Sequence, residues 1–169
     1  MEAMFQSYSR KRGFTLVELV LTIVLVGALA VVGLPRFFDQ SAFEERYFHD
    51  DLISAARYAQ RLAIGSGCSV KLSVSGTGFL LEQDANCSLV SPSYSITVTR
   101  PFDSAAFSNT DVPSSLTSFI SSQSAYYFLP EGGAVDGSGT EVGSATIELT
   151  GASSRIIYIV GVTGYAYSI

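Results

Sequence analysis

Residues 14–34, FTLVELVLTIVLVGALAVVGL, form a run of 21 with one charge in it, Glu18. As a helix rising ~1.5 Å per residue, this run is about 31 Å long, one bilayer hydrocarbon core. It must be covered by lipid or by other apolar helices. Arg10, Lys11 and Arg12 precede it and Arg36 follows it. That bias puts the N-terminus in the cytoplasm and everything from Arg36 onward across the inner membrane. Glu18 is the anomaly. A charged side chain at mid-membrane costs on the order of 2.5–3.5 kcal/mol, less near the end of a span. Three fates are open: cleavage at the small residues Ala28-Leu29-Ala30, an uncleaved anchor, or cleavage at Gly13-Phe14. The first gains nothing from a carboxylate in its apolar core. The third creates an α-amino group on Phe14, a partner for Glu18 in the same chain or in a neighbour.

Beyond this run the chain is acidic. Of the net charge of −5, the first 13 residues contribute three cations and Glu2, so residues 14–169 carry −7. Lys71 is the only lysine after Lys11. Phosphate contacts need Lys and Arg, so nucleic acid is excluded as a partner. Abundant Ser, Thr and Gly with few charges fit a β-rich exported domain. Cys68 and Cys87 lie in that domain. They pair in an oxidising compartment and stay as two thiols in a reducing one. A bridge closing about 20 residues stabilises by roughly 3 kcal/mol in the chain-entropy description.

From residue 36 the pattern is helical. Phe48, Leu52, Ala55, Ala59 and Leu62 recur at spacings of 4, 3, 4 and 3, one face of an amphipathic helix. Glu44, Glu45, Asp50, Asp51, Arg57 and Arg61 fall mostly elsewhere. The spacing predicts one long helix from Phe14 to about Ile64, with Pro35 a candidate kink. Gly65-Ser66-Gly67 stops it. The period then changes to two. Val70, Leu72 and Val74, turned by Gly76-Thr77-Gly78 into Phe79–Glu82, predict a hairpin whose outer ends Cys68 and Cys87 would staple. Tyr94, Ile96 and Val98 alternate again. Residues 101–124 are Ser-rich and read as a surface loop with room for a short helix. Residues 125–129 read as a buried strand, 145–149 and 155–160 as a second hairpin, and 165–169 as a last strand. The fold expected is α+β: a long N-terminal helix packed on an antiparallel head of six or seven strands. The expected divisions are 1–13, 14–35, 36–64 and 65–169.

Lys11-Arg12-Gly13-Phe14-Thr15-Leu16-Val17-Glu18 resembles the class III signal of type IV pilins and type II secretion pseudopilins. The resemblance implies that residues 1–13, with Arg10, Lys11 and Arg12, are a leader. A prepilin peptidase would cut after Gly13 and methylate the new N-terminal Phe14. Glu18, fifth in the mature chain, would neutralise the N-terminus of an adjacent subunit in a filament. The implied partners are other pilin subunits, that peptidase and an inner-membrane assembly platform. The runs LISAARYAQRLAIGSGCSVKLSV, YYFLPEGGAV and RIIYIVGVTGYAY are similar to H-type minor pseudopilins. The cysteine pair is more similar to minor pilins of mannose-sensitive haemagglutinin systems. The implied function is a minor subunit that enters or primes a pilus or pseudopilus. The alternative is a tip-exposed adhesin or ligand-binding module using residues 101–124.

Enzymatic patterns are thin. His49 is the only histidine. Beside Asp50 and Asp51 it reads as part of a solvated helix face, and zinc patterns need more ligands. No Gly-x-Ser-x-Gly elbow is present, and Gly161-Val162-Thr163-Gly164 lacks the lysine of a phosphate loop. Asp136-Gly137-Ser138-Gly139-Thr140-Glu141 places oxygens at alternate positions, as calcium loops do, but it reads better as a polar turn. No enzymatic activity, cofactor or metal is expected.

Overall fold

A computed structural model describes residues 13–37, 40–88 and 90–169, with side chains in the first helix placed as far as Ala30. Arg10, Lys11 and Arg12, the cations of the expected leader, lie outside the described residues. The chain forms two compact units, divided at Asp39 and Gln40. The first holds helix α1, Leu16–Phe37, which runs on through Gly27, Gly33 and Pro35. The second opens with helix α2, Gln40–Ser66. Continuity between them rests on residues 38–39, outside the described residues.

Among the described residues ten strands follow α2: β1 Val70–Ser75, β2 Gly78–Asp84, β3 Tyr94–Thr97, β4 Ser108–Asn109, β5 Ser118–Ser121, β6 Ala125–Phe128, β7 Ala134–Val135, β8 Ser144–Thr150, β9 Ser154–Val160 and β10 Ala166–Ser168. They make two antiparallel sheets. One has the order β3-β2-β1-β6-β7, with β4 also on β2; the other has the order β10-β9-β8-β5. The architecture is the expected α+β. Both predicted hairpins are present, with Leu72 opposite Leu81 and Ile147 opposite Ile157. The disulfide Cys68–Cys87 closes the outer ends of the first.

Three strands exceed the expectation: β7 pairs back on β6 after the turn at residues 130–133, and the other two arise because residues 101–124 are not one loop. Ser108–Asn109 and Ser118–Ser121 are strands, and no helix forms there. A single strand edge accounts for the first. β3 covers the second half of β2, from Glu82 to Asp84, and β4 covers Phe79 and Leu80. Between them the Leu81 N–H donates to the Phe107 carbonyl, and the Val98 N–H donates to the Leu81 carbonyl. Val98 and Phe107 are buried at this junction. Gly78 makes the approach possible. Its φ is +127°, and a Cβ there would fall on the Asn109 carbonyl oxygen.

The core is one cluster from α2 and both sheets. Phe48, Leu52, Ala55 and Ala59 of the predicted stripe are buried, joined by Ala56 and Ala63, while Leu62 is half-buried. The alanines keep the helix thin where β1 and β10 lie against it. α2 ends as predicted: Gly67 takes φ +71°, and its N–H donates to the Ala63 carbonyl at 3.0 Å, a glycine C-cap.

The polar face of α2 is less solvated than its sequence implies. Glu45, His49 and Asp51 are all buried. α2 is covered on more than one side, by the larger sheet, by the β10 edge and by the β8–β9 turn, so its buried arc is wider than one apolar stripe. Asp51 meets Arg100, and the Glu45 carboxylate accepts the Ala152 N–H at 3.0 Å from the β8–β9 turn. His49 Nδ1 lies 3.0 Å from the Asp50 carboxylate, and Nε2 has no hydrogen-bond partner among the described residues.

Candidate functional site: the N-terminal segment

Gly13, Phe14 and Thr15 precede the helix in non-helical backbone and are exposed, and Phe14 keeps 75% of its surface in solvent. The Gly13–Phe14 bond therefore lies in an exposed stretch outside the helix. Thr15 caps the helix. Its Oγ1 accepts the Glu18 N–H at 3.2 Å, and its carbonyl accepts the Leu19 N–H at 3.1 Å. Thr15-Leu16-Val17-Glu18 thus has the spacing of a capping box, with Glu18 at the third helical position. That gives Glu18 a local role besides any intermolecular one: a carboxylate in the first turn faces the positive end of the helix macrodipole. The Thr-x-x-Glu spacing was legible in the sequence.

From Leu19 to Ala30, the described side chains of α1 are apolar on every face except for Thr22. Leu16, Val17, Leu19, Val20, Leu21, Ile23, Val24, Leu25, Val26 and Leu29 are each 45–78% exposed. A helix apolar all round needs a covering on every face. Gly27 has nothing within 4 Å of where its Cβ would be, so a partner's backbone can come close at that level. Among the described residues no helix is long and apolar enough to cross a membrane. The expected span runs to Leu34. The part with placed side chains, Leu16–Ala30, is 15 residues, about 22 Å at ~1.5 Å each, against a hydrocarbon core of about 30 Å.

The other candidates carry less chemistry. Asp136 Oδ1 accepts three hydrogen bonds, from the Ser138 N–H at 2.8 Å, the Ser138 hydroxyl at 2.6 Å and the Thr140 N–H at 3.0 Å. These donors, Ser138's side chain first, hold its carboxyl below the usual range. The loop is a self-satisfied polar turn. Among the described residues no three His, Cys, Asp or Glu side chains are grouped to hold a metal. The sequence did not foresee the buried pair of Asp51 and Arg100, because 49 positions separate the two residues.

Residues 8–34 match the family model of the prokaryotic N-terminal methylation motif. No curated protein and no solved structure matches the chain. The match spans Gly13, Phe14, Thr15 and Glu18 together, the residues that the structure places at an exposed, capped helix start, and it supports a type IV pilin-like chain.

Proposed function

We propose that this chain is a minor pilin or pseudopilin subunit of the H-type subgroup, and that its work is assembly. The observation that carries the reading is the motif at residues 8–34, which opens a helix whose described side chains are almost all apolar and exposed, in a chain whose second unit is β-rich. A prepilin peptidase cuts after Gly13 and methylates Phe14. Arg10, Lys11 and Arg12 keep the leader in the cytoplasm. The helix waits in the inner membrane with the head in the periplasm, and the assembly platform then moves it into a pilus or pseudopilus. There Glu18 meets the N-terminal amine of a neighbouring subunit. The charge that costs free energy in lipid becomes an ion pair, and α1 exchanges lipid for other helices.

Mass spectrometry of protein from native membranes, without reductant, tests this. The expected N-terminal peptide starts at methylated Phe14, and the intact mass lacks two hydrogens for the Cys68–Cys87 bridge. A start at Val31 would mean a released soluble protein and would overturn the reading. A second measurement separates processing from assembly. In Glu18→Ala the Gly13–Phe14 cut proceeds, while recovery in sheared filaments falls by an order of magnitude or more. That is the size expected when a partly buried ion pair of 1.4 kcal/mol or more is lost. Normal recovery of this variant in filaments would remove Glu18 from the mechanism.

A further inference from the structure

The outer face of the larger sheet carries a site that the filament reading does not use. β1 turns Val70, Leu72 and Val74 into the core, and β6 does the same with Tyr126 and Phe128. Alternation therefore places Lys71 and Tyr127, which are direct partners across β1 and β6, on the opposite face. Tyr94 of the edge strand β3 reaches the same face. Its ring centroid lies 5.1 Å from that of Tyr127, with the planes at 57°. The two rings line a cleft of about 430 Å³, with Pro92 and Leu129 as further apolar walls and Glu131 and Asp136 on its polar side. That volume is in the range of small-molecule pockets.

The cleft is held by fixed parts. Ser69 and Ser88 line it, and each directly follows a cysteine of the Cys68–Cys87 bridge. The Tyr94 hydroxyl is 3.1 Å from Ser69 Oγ. Burial is the main cause that pushes the Tyr94 phenol above its ordinary 10.0, so the ring stays neutral at physiological pH. Asp136 is fixed by its own turn. Gly137 stands at the lip, where an added Cβ would lie 3.9 Å from the Tyr127 ring.

The chemistry selects the ligand. Among the described residues two carboxylates line the cleft and no cation does. The nearest, Lys71, is tied to Glu82 at 3.0 Å, and its Nζ stands 6.0 Å from the Tyr94 ring centroid. An anion would be repelled. A purely apolar ligand or a neutral saccharide could pack on the rings but would gain nothing from the charges of Glu131, which is exposed, and Asp136, which its own turn already satisfies. Tyrosine faces beside carboxylates favour a cation on a short organic frame. We propose that this cleft binds a guanidinium or alkylammonium group, either as a small free cation or as an Arg or Lys side chain of a partner protein. The proposal stands apart from filament assembly.

The test is isothermal titration calorimetry on the full-length protein in detergent micelles at low ionic strength. The probes are N-acetyl-arginine amide, tetramethylammonium, methyl glucoside and acetate. Saturable binding of the two cations, and of neither other probe, is the expected result. Tyr127→Leu keeps an apolar residue on β6 and should weaken the cations about 2- to 30-fold, the span of a cation–aromatic contact. Glu131→Gln, on an exposed turn, should weaken them several-fold and flatten the salt dependence. The two variants are independent, so misfolding of the first leaves the second decisive. An arginine peptide binding more than tenfold tighter than the amide supports a partner side chain, and equal affinity supports a free cation. No saturable response to either cation, undiminished binding in both folded variants, or preference for methyl glucoside would overturn the proposal.

Discussion

Arg100→Ala should cost about 3–5 kcal/mol of unfolding free energy, far more than removal of an ordinary surface charge. Arg100 Nη1 and Nη2 each donate to Asp51 at 2.8 Å, one to each carboxylate oxygen. The pair is enclosed, with side-chain exposures of 13% for Arg100 and 7% for Asp51. Nη2 also donates to the Ser108 carbonyl at 3.0 Å, and the guanidinium lies 4.9 Å over the Phe107 ring. Removing it strands a buried carboxylate with one side-chain donor, Asn109 Nδ2 at 3.0 Å. It also releases the segment that carries β4. Arg100→Lys should recover only part of the loss, since an ammonium cannot reproduce the two-pronged geometry. Adding Asp51→Asn to Arg100→Ala should restore stability relative to the single variant, because the uncompensated charge is then gone. Urea unfolding of the four proteins measures this. A loss below about 1 kcal/mol for Arg100→Ala would show that the pair behaves like an exposed one.

Breaking the Cys68–Cys87 bridge should be the next largest effect, about 3 kcal/mol for a closed loop of this length. The two residues are 19 positions apart, and the first hairpin lies between them. Reduction frees the unfolded chain and leaves the β1–β2 register in place, so the folded structure should persist with a lower urea midpoint. Cys68→Ser with Cys87→Ser should match the reduced wild type within a few tenths of a kcal/mol, and dithiothreitol should have no further effect on the double variant. Equal midpoints with and without reductant would show that the bridge adds no stability. The same variant loosens Ser69 and Ser88, so its affinity for organic cations should fall as well.

The hairpins, the C-terminal strand, the helix stop at Gly67 and the bridge were legible because each is written in local chemistry: period-two alternation, turn glycines and a cysteine pair flanking a hairpin. The stripe on α2 was legible for the same reason, at period 3.6. Residues 101–124 were not. β4 and β5 are short strands without alternation of their own, and they exist because the edges of β2 and β8 supply hydrogen-bond partners. The polar residues of α2 misled in a similar way. Glu45, His49 and Asp51 look like a solvated face on a helical wheel, yet the β8–β9 turn and the segment around Arg100 cover them.

The sequence by itself determined the head of the chain. Gly13, Phe14, Thr15 and Glu18 lie within six consecutive residues, and the apolar run they open needs only its length and its single charge to be understood. Tertiary structure alone decided which polar groups were buried, and it alone brought Tyr94 and Tyr127 together across the sheet. The physical reason is range. Capping, alternation and hydrophobic length act between near neighbours in the chain, while burial and clefts come from residues tens of positions apart, which only strand pairing within a sheet and the packing of the sheets on α2 bring into contact.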